Sequence, residues 1–140
     1  MFIPFTENEI DIEIANKPPY VARDVTTHTD VKKYYVCNKD MFAVKHIAMF
    51  QLLDHSDPGC IVNFSLHKDR EGCLSKYRHL YLIMALRCVR KWSISNGAKL
   101  LTIHTEDPLM PEIFLNEGLT LRRAPTSTKP LYRGSLRIKE

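Results

Sequence analysis

The chain has 140 residues, of which 44% are hydrophobic and 26% are charged, and its net charge is +4 at pH 7. These values are typical of one globular domain over residues 1–140 and exclude collagen-like, coiled-coil and disordered chains. The longest apolar run, residues 80–86, is far shorter than the ~20 residues of a membrane span, and residues 1–5 lack a signal-peptide pattern. We therefore expect a cytoplasmic protein with no membrane partner.

The first half of the chain predicts consecutive antiparallel strands. Residues 34–37 and 42–53 are rich in aromatic, β-branched and long apolar side chains. The turn sequence Asp57-Pro58-Gly59 then leads into a further strand over residues 61–66. Residues 1–33 carry no clear pattern, and loops that bind an acceptor could lie there.

The second half predicts a long helix over residues 75–95, which has helix formers throughout and is closed by Asn96-Gly97. Its middle is apolar nearly all round, so we expect it to be covered on more than one side. A strand over residues 99–105 follows. Asp107 then predicts the cap of a short helix that starts at Pro108 and stops at Gly118. Residues 119–123 and 131–138 predict the last strands.

This order of elements predicts an α/β (α+β) fold. A strand, helix and strand across residues 61–105 imply a parallel crossover, whereas the hairpins imply antiparallel neighbours. We therefore expect a mixed, mostly antiparallel central sheet with one parallel β-α-β crossover and helices on both faces.

Polar side chains cluster near the ends of the two strands that flank the long helix. Strict alternation along the first of them predicts one face with Val62, Phe64 and Leu66, and another with Ile61, Asn63, Ser65 and His67. His104 lies near the end of the second strand and Glu106 follows it. Because parallel neighbours end at one side of a sheet, His67, His104 and Glu106 are candidate proton acceptors. A solvated loop residue, a local hydrogen bond and a helix-start acid are the alternatives.

Residues 67–75, His-Lys-Asp-Arg-Glu-Gly-Cys-Leu-Ser, form a polar turn between strand and helix. Its backbone amides and the positive start of the helix could hold a phosphate, although an ordinary solvated loop would look the same.

Residues 61–119 resemble the core of the GCN5-related N-acetyltransferase (GNAT) superfamily, in a divergent form similar to small bacteriophage-encoded members. In that family a strand is followed by a loop of the form Arg/Gln-x-x-Gly-x-Gly/Ala, a long helix, a second strand and a short helix before Gly-Phe. Here Arg70 starts the loop, Cys73 and Ser75 fall where small residues sit, and Lys76 opens the helix. Asp107 falls at the usual asparagine, and Gly118-Leu119 at the usual Gly-Phe.

The resemblance implies a GNAT-like fold and an N-acetyltransferase that moves an acetyl group from acetyl-CoA to an amine by direct attack, without a metal. The acceptor would be a small molecule or a protein, met in the bacterial host cell if the chain is phage-encoded. His67 or Glu106 would accept the proton, and Leu66 would act through its backbone. The implied cofactor-binding residues are Ser65, Leu66, His67, Arg70, Glu71, Gly72, Cys73, Leu74, Ser75, Lys76, Asp107 and Phe114.

Phe114 falls where many members carry a tyrosine that protonates the departing thiolate, and phenylalanine has no proton to give. The alternative is therefore a catalytically inactive GNAT-fold protein with a binding or virion-associated structural role.

Two further kinds of site receive little support. The four cysteines have no Cys-x-x-Cys spacing, so free thiols are expected and a zinc site is not. Basic residues on the long helix and near the carboxyl terminus could contact a nucleic-acid backbone. Such charges more often serve solubility, and we do not expect nucleic acid as the partner.

Overall fold

The computed structural model describes residues 20–27, 31–38, 47–53, 57–66, 75–123 and 131–138. The strands are β1 (Tyr20–Asp24), β2 (Lys33–Asn38), β3 (Ala48–Leu52), β4 (Cys60–Leu66), β5 (Leu100–Thr105), β6 (Thr120–Arg123) and β7 (Tyr132–Arg137). The helices of this part of the chain are α1 (Ser75–Ser95) and α2 (Met110–Asn116).

The seven strands form one sheet in the order β1-β2-β3-β4-β5-β7-β6. Only β4 and β5 are parallel neighbours, and α1 connects them. The other neighbouring pairs are antiparallel. The predicted mixed, mostly antiparallel sheet with one parallel β-α-β connection is confirmed. Strand β1 was not predicted. Strand β3 lies in the second part of the strand expected at residues 42–53, and residues 42–46 of that prediction lie outside the described part.

Both helices end as their glycines predict. At the end of α1, the Ala98 N–H donates to the Ser93 carbonyl and the Gly97 N–H donates to the Ile94 carbonyl, both at 3.0 Å. Gly97 has φ +91°, a conformation that costs an L-residue energy but not glycine. Gly118, with φ +84°, ends α2 with the same pair of hydrogen bonds.

The start of α2 differs from the prediction. The helix begins at Met110, with Leu109 rather than Asp107 as the N-cap. Asp107 instead accepts a hydrogen bond on Oδ1 from the Leu109 N–H at 2.9 Å, which closes a turn through Pro108. The proline in the first turn of the helix is Pro111 rather than the predicted Pro108. Proline fits this turn because the N–H groups there have no partner within the helix.

One face of the sheet carries the core. Its fully buried strand residues include Phe50, Phe64 and Ile103, and the buried side of α1, from Tyr81 to Val89, packs on them. The Trp92 ring closes one end of this core, 5.4 Å from that of Phe50.

Both helices of the described residues share this core and contact each other, and Arg87 of α1 pairs with Glu117 just after α2 at 2.6 Å. We expected helices on both faces, but within the described ranges the opposite face bears none. A helix there would have to come from residues outside those ranges. No helix of the described part combines the length and apolar character needed to cross a membrane.

Candidate functional site

The two parallel strands separate toward their carboxyl ends. Strands β4 and β5 pair only at Cys60 with Thr102 and at Ile61 with Ile103. Beyond these pairs the backbone hydrogen-bond ladder stops. The strands are joined there by a side chain instead, since the Thr105 hydroxyl donates a hydrogen bond to the Phe64 carbonyl at 2.7 Å. The sheet therefore opens between the last residues of β4 and the end of β5.

A bulge in β4 bends the strand at the point of separation. The pairing of β3 with β4 shifts register by one residue between Met49 and Gln51, which leaves Asn63 and Phe64 opposite the single residue Phe50. Asn63 has φ +54°, the left-handed conformation that asparagine tolerates better than most residues. Its side-chain amide donates to Gln51 Oε1.

The bulge overturns the strict alternation predicted for β4. Ile61, Phe64 and Leu66 are all buried, at 1%, 1% and 5% exposure, so they share the core face. Ile61 was expected on the other face, together with Ser65. The extra residue at Asn63 moves every later side chain by one position.

A cleft of about 380 Å³ lies between the separated strand ends. Its walls come from β4, the first turns of α1, the end of β5 with the segment after it, and the residue before β7. The lining residues are Asn63, Phe64, Ser65, Leu66, Arg78, His104, Thr105, Glu106, Asp107, Pro108 and Leu131.

Hydrogen bonds around Thr105 hold the β5 side of the cleft in place. The Thr105 hydroxyl is buried and, besides donating to Phe64, accepts the N–H of Asp107 at 3.1 Å. The Asp107 carboxylate in turn accepts a hydrogen bond from the N–H of Leu109, just before α2. A single buried hydroxyl thus joins β4, β5 and the start of α2.

Three groups give the cleft its charge. Arg78 brings a guanidinium whose Nε is buried and has no hydrogen-bond partner. Burial, and then the charge of Arg133, lower the pKa of His104 below its ordinary value, so its imidazole is neutral at pH 7. Glu106 is exposed at the rim. Within the described residues, the cleft therefore holds a guanidinium whose Nε has no hydrogen-bond partner, a neutral imidazole and a carboxylate.

Five of the predicted site residues meet at this cleft: Ser65, Leu66, His104, Glu106 and Asp107. His67 and the loop residues Arg70, Glu71, Gly72, Cys73 and Leu74 lie outside the described residues. Ser75 and Lys76 open α1.

Phe114 lies elsewhere. It is fully buried and does not line the cleft, because its ring packs under β7. A Cβ added at Gly134 would come within 2.7 Å of that ring, so the glycine makes room for it.

Sequence reasoning missed Asn63 and Arg78 as cleft residues. A signal for Arg78 was present, since it lies at spacings of three, four and seven residues from Tyr81, Leu82 and Ala85, on the buried stripe of α1. A lone charge on such a stripe indicates a polar site beneath the helix. Asn63 carried a weaker signal, as an asparagine within an otherwise apolar strand.

Comparison with known proteins adds no family to these observations: no protein-family model matches the chain, and no curated protein matches it significantly. Within the described ranges, no three His, Cys, Asp or Glu residues lie close enough together to hold a metal ion, and Cys37, Cys60 and Cys88 form no disulfide bonds.

Proposed function

We propose that this chain is an N-acetyltransferase-like protein of the GNAT type, which binds acetyl-CoA and transfers its acetyl group to an amine by direct attack. The observation that carries the proposal is the opening between β4 and β5. Their parallel ladder stops after two residue pairs, and a cleft of about 380 Å³ follows. A pocket of this size, at the carboxyl ends of parallel strands, suits a small ligand or the arm of a larger one.

The backbone of β4 supports binding of an extended amide-bearing arm. Hydrogen-bonding groups of successive strand residues alternate between the neighbours on either side. Because the Phe64 carbonyl faces β5, the peptide groups of Leu66 face the same way, toward the cleft. The amides of a pantetheine arm could pair with them as an added strand would. Leu66 then acts through its backbone alone.

Arg78 supports an anionic carrier. A buried donor without a hydrogen-bond partner is unfavourable, and a phosphate oxygen would satisfy it with a strong charge-assisted bond. Coenzyme A supplies such phosphates at one end of its arm. Ser75 and Lys76, at the start of the same helix, remain proposed neighbours of the carrier.

His104 and Glu106 support the proton transfer that the reaction needs. An acceptor enters as an ammonium ion and must lose one proton before its nitrogen lone pair can attack the thioester carbonyl. A neutral His104, or the Glu106 carboxylate, can take that proton within the cleft. The C–N bond then forms, and the C–S bond breaks with its electron pair on sulfur. The nitrogen releases its second proton to solvent, and the thiolate takes up a proton from solvent, so that the products are the amide and free CoA thiol. His67 remains a proposed alternative acceptor.

Calorimetric titration with acetyl-CoA tests the binding step. We expect saturable binding that weakens about tenfold in Arg78→Gln, the size of one lost charged hydrogen bond. Arg90→Gln is the matched control, because it removes the same charge from α1 outside the cleft. The proposal fails if millimolar acetyl-CoA does not bind, or if both variants bind as the wild type does.

A protein of this fold that binds without transferring is the second candidate, and Phe114 is the observation that favours it. No phenol is available at this position to protonate the thiolate, and the ring is buried away from the cleft. Incubation with acetyl-CoA and a panel of amines distinguishes the two. CoA release that depends on the amine supports the enzyme, and binding without release supports a binding or virion-associated structural role.

A further inference from the structure

Three nitrogen-bearing side chains form a row across the sheet, called here the basic row: His104, Arg133 and Arg122. His104 of β5 is directly opposite Arg133 of β7, and Arg133 is directly opposite Arg122 of β6. Directly opposite residues on antiparallel strands point to the same face, with Cβ atoms about 4.5–5.5 Å apart. The basic row therefore runs as one line over three strands.

The basic row lies on the face away from the helices. Gly134, the residue after Arg133, faces the Phe114 ring of α2, so Arg133 points to the other side of the sheet. Both arginines are exposed, whereas His104 is half-buried at the inner end of the row. A ligand approaching from solvent thus meets the two guanidinium groups first.

In the part of the chain that the structure describes, the two arginines have no acidic partner. Among the described residues, no carboxylate lies within ion-pair distance of Arg122 or Arg133. Like charges placed directly opposite each other on neighbouring strands are unfavourable, and a bound anion would relieve the repulsion. Arg133 also acts on the imidazole beside it, since its charge helps to lower the pKa of His104.

His104 connects the basic row to the cleft, because it belongs to both. Neighbouring strands lie about 4.8 Å apart, so the Arg133 side chain starts about one strand spacing from that of His104. That separation suits a molecule whose anionic group and reacting nitrogen are a few bonds apart.

We infer that the acceptor of the proposed transfer is a small amine bearing a carboxylate or a phosphate, which Arg133 and Arg122 bind while its nitrogen lies in the cleft beside His104. The inference rests on the proposed function for the identity of the reaction. The anion site itself stands on the geometry of the row.

Direct binding tests the inference without relying on turnover. Two matched pairs of probes isolate the anionic group: O-phosphoethanolamine against ethanolamine, and β-alanine against propylamine. All four probes carry an ammonium group at pH 7, so each pair differs only in the anionic group. Calorimetry or NMR titration should show each anionic probe binding about tenfold or more tightly than its partner without that group. The tighter of the two anionic probes identifies phosphate or carboxylate as the preferred group.

Variants locate the site. Arg133→Gln and Arg122→Gln should each weaken the anionic probe about fivefold to tenfold and should not weaken ethanolamine or propylamine. Arg137→Gln is the control, because it removes the same charge from the same strand and face, four residues away. Its effect should stay below about twofold, as expected of general attraction alone. If turnover occurs, Arg133→Gln should raise KM for the anionic amine with little change in kcat.

The outcomes separate the two proposals. Equal binding of the two members of each probe pair, or equal loss in all three variants, overturns the inference. If the wild-type protein binds acetyl-CoA but shows no preference for the anionic probes, the inference is overturned and the proposed function is not. An intact anionic preference without acetyl-CoA binding overturns the proposed function and leaves the basic row as an anion site. Thermal denaturation of each variant checks that it folds. We expect the Tm to be unchanged, because the substituted side chains are exposed and glutamine retains most of the arginine stem.

Discussion

Thr105→Val removes the hydroxyl that joins the diverging strands at the cleft. The Thr105 side chain is only 1% exposed, and its oxygen donates to the Phe64 carbonyl at 2.7 Å and accepts the Asp107 N–H at 3.1 Å. Valine has nearly the same shape, so packing is kept while both hydrogen bonds are lost. The substitution therefore isolates the polar contribution of one side chain.

The expected loss is about 2 kcal/mol in the free energy of unfolding. Each hydrogen bond contributes roughly 1 kcal/mol net, and a buried group left without a partner costs about 1–3 kcal/mol. Phe64 borders the cleft, where water can hydrate its carbonyl, so the lower end of that range applies. For a domain of this size, ~2 kcal/mol corresponds to a Tm lower by roughly 6 °C.

Urea denaturation followed by circular dichroism measures this loss. Thr105→Ser retains the hydroxyl and should recover more than half of the stability that Thr105→Val loses. Thr102→Val, on the same strand but half-buried on the other face, should change stability by less than about 0.5 kcal/mol. If Thr105→Val is as stable as the wild type, the hydroxyl does not hold the strand ends and the account given for the cleft wall is wrong.

Three further predictions concern other parts of the fold. Gly134→Ala should lower the free energy of unfolding by about 1–3 kcal/mol, because the added Cβ would lie 2.7 Å from the buried Phe114 ring. Urea denaturation of the double variant with Phe114→Leu should show that part of this loss is recovered. Strictly additive effects of the two substitutions would contradict the clash. Hydrogen bonds from Thr26 lower the pKa of Asp24, so its charge stabilises the folded state above pH ~4 and this stabilisation is lost as the pH falls through the lowered value. The urea midpoint of Asp24→Asn should therefore lie below that of the wild type at pH 7 and approach it at pH 3, whereas a constant gap would argue against the assignment. Burial raises the pKa of the Cys88 thiol to about 12, so its thiolate is about a thousandfold rarer than in a thiol of pKa 9. Alkylation by iodoacetamide, followed by peptide mass spectrometry, should be far slower at Cys88 in the folded protein than in urea, and equal rates would refute the burial argument.

Local chemistry explains what the sequence could predict. Helix α1 and its end depend on neighbouring residues, namely a continuous run of helix formers followed by Gly97 with positive φ. The parallel connection followed from the order of the elements, which is readable from any chain with a strand on either side of a long helix. The Asp107 turn shows the limit of this approach, because two prolines compete for one helix start and only their packing decides between them.

Long-range pairing explains what was missed. Strand β1 contains the polar residues Arg23 and Asp24 and has no apolar alternation of its own, so its extended form depends on pairing with β2. The bulge at Asn63 likewise depends on the register against β3, and a single strand read alone gives no sign of an extra residue. The cleft was predicted in outline from strand order, whereas the buried Nε of Arg78 required the helix to be placed over the strand ends.

One edge of the sheet, formed by β6, affects how the protein behaves in solution. Strand β6 is four residues long, carries Arg122 and Arg123, and among the described strands pairs on one side only, with β7. An unpaired strand edge is a template on which a second molecule can add its own strand, and short length and positive charge are two devices that prevent this. The charges at this edge would repel an approaching copy of themselves. Neutralising them would be expected to favour self-association as well as to change what the sheet can bind.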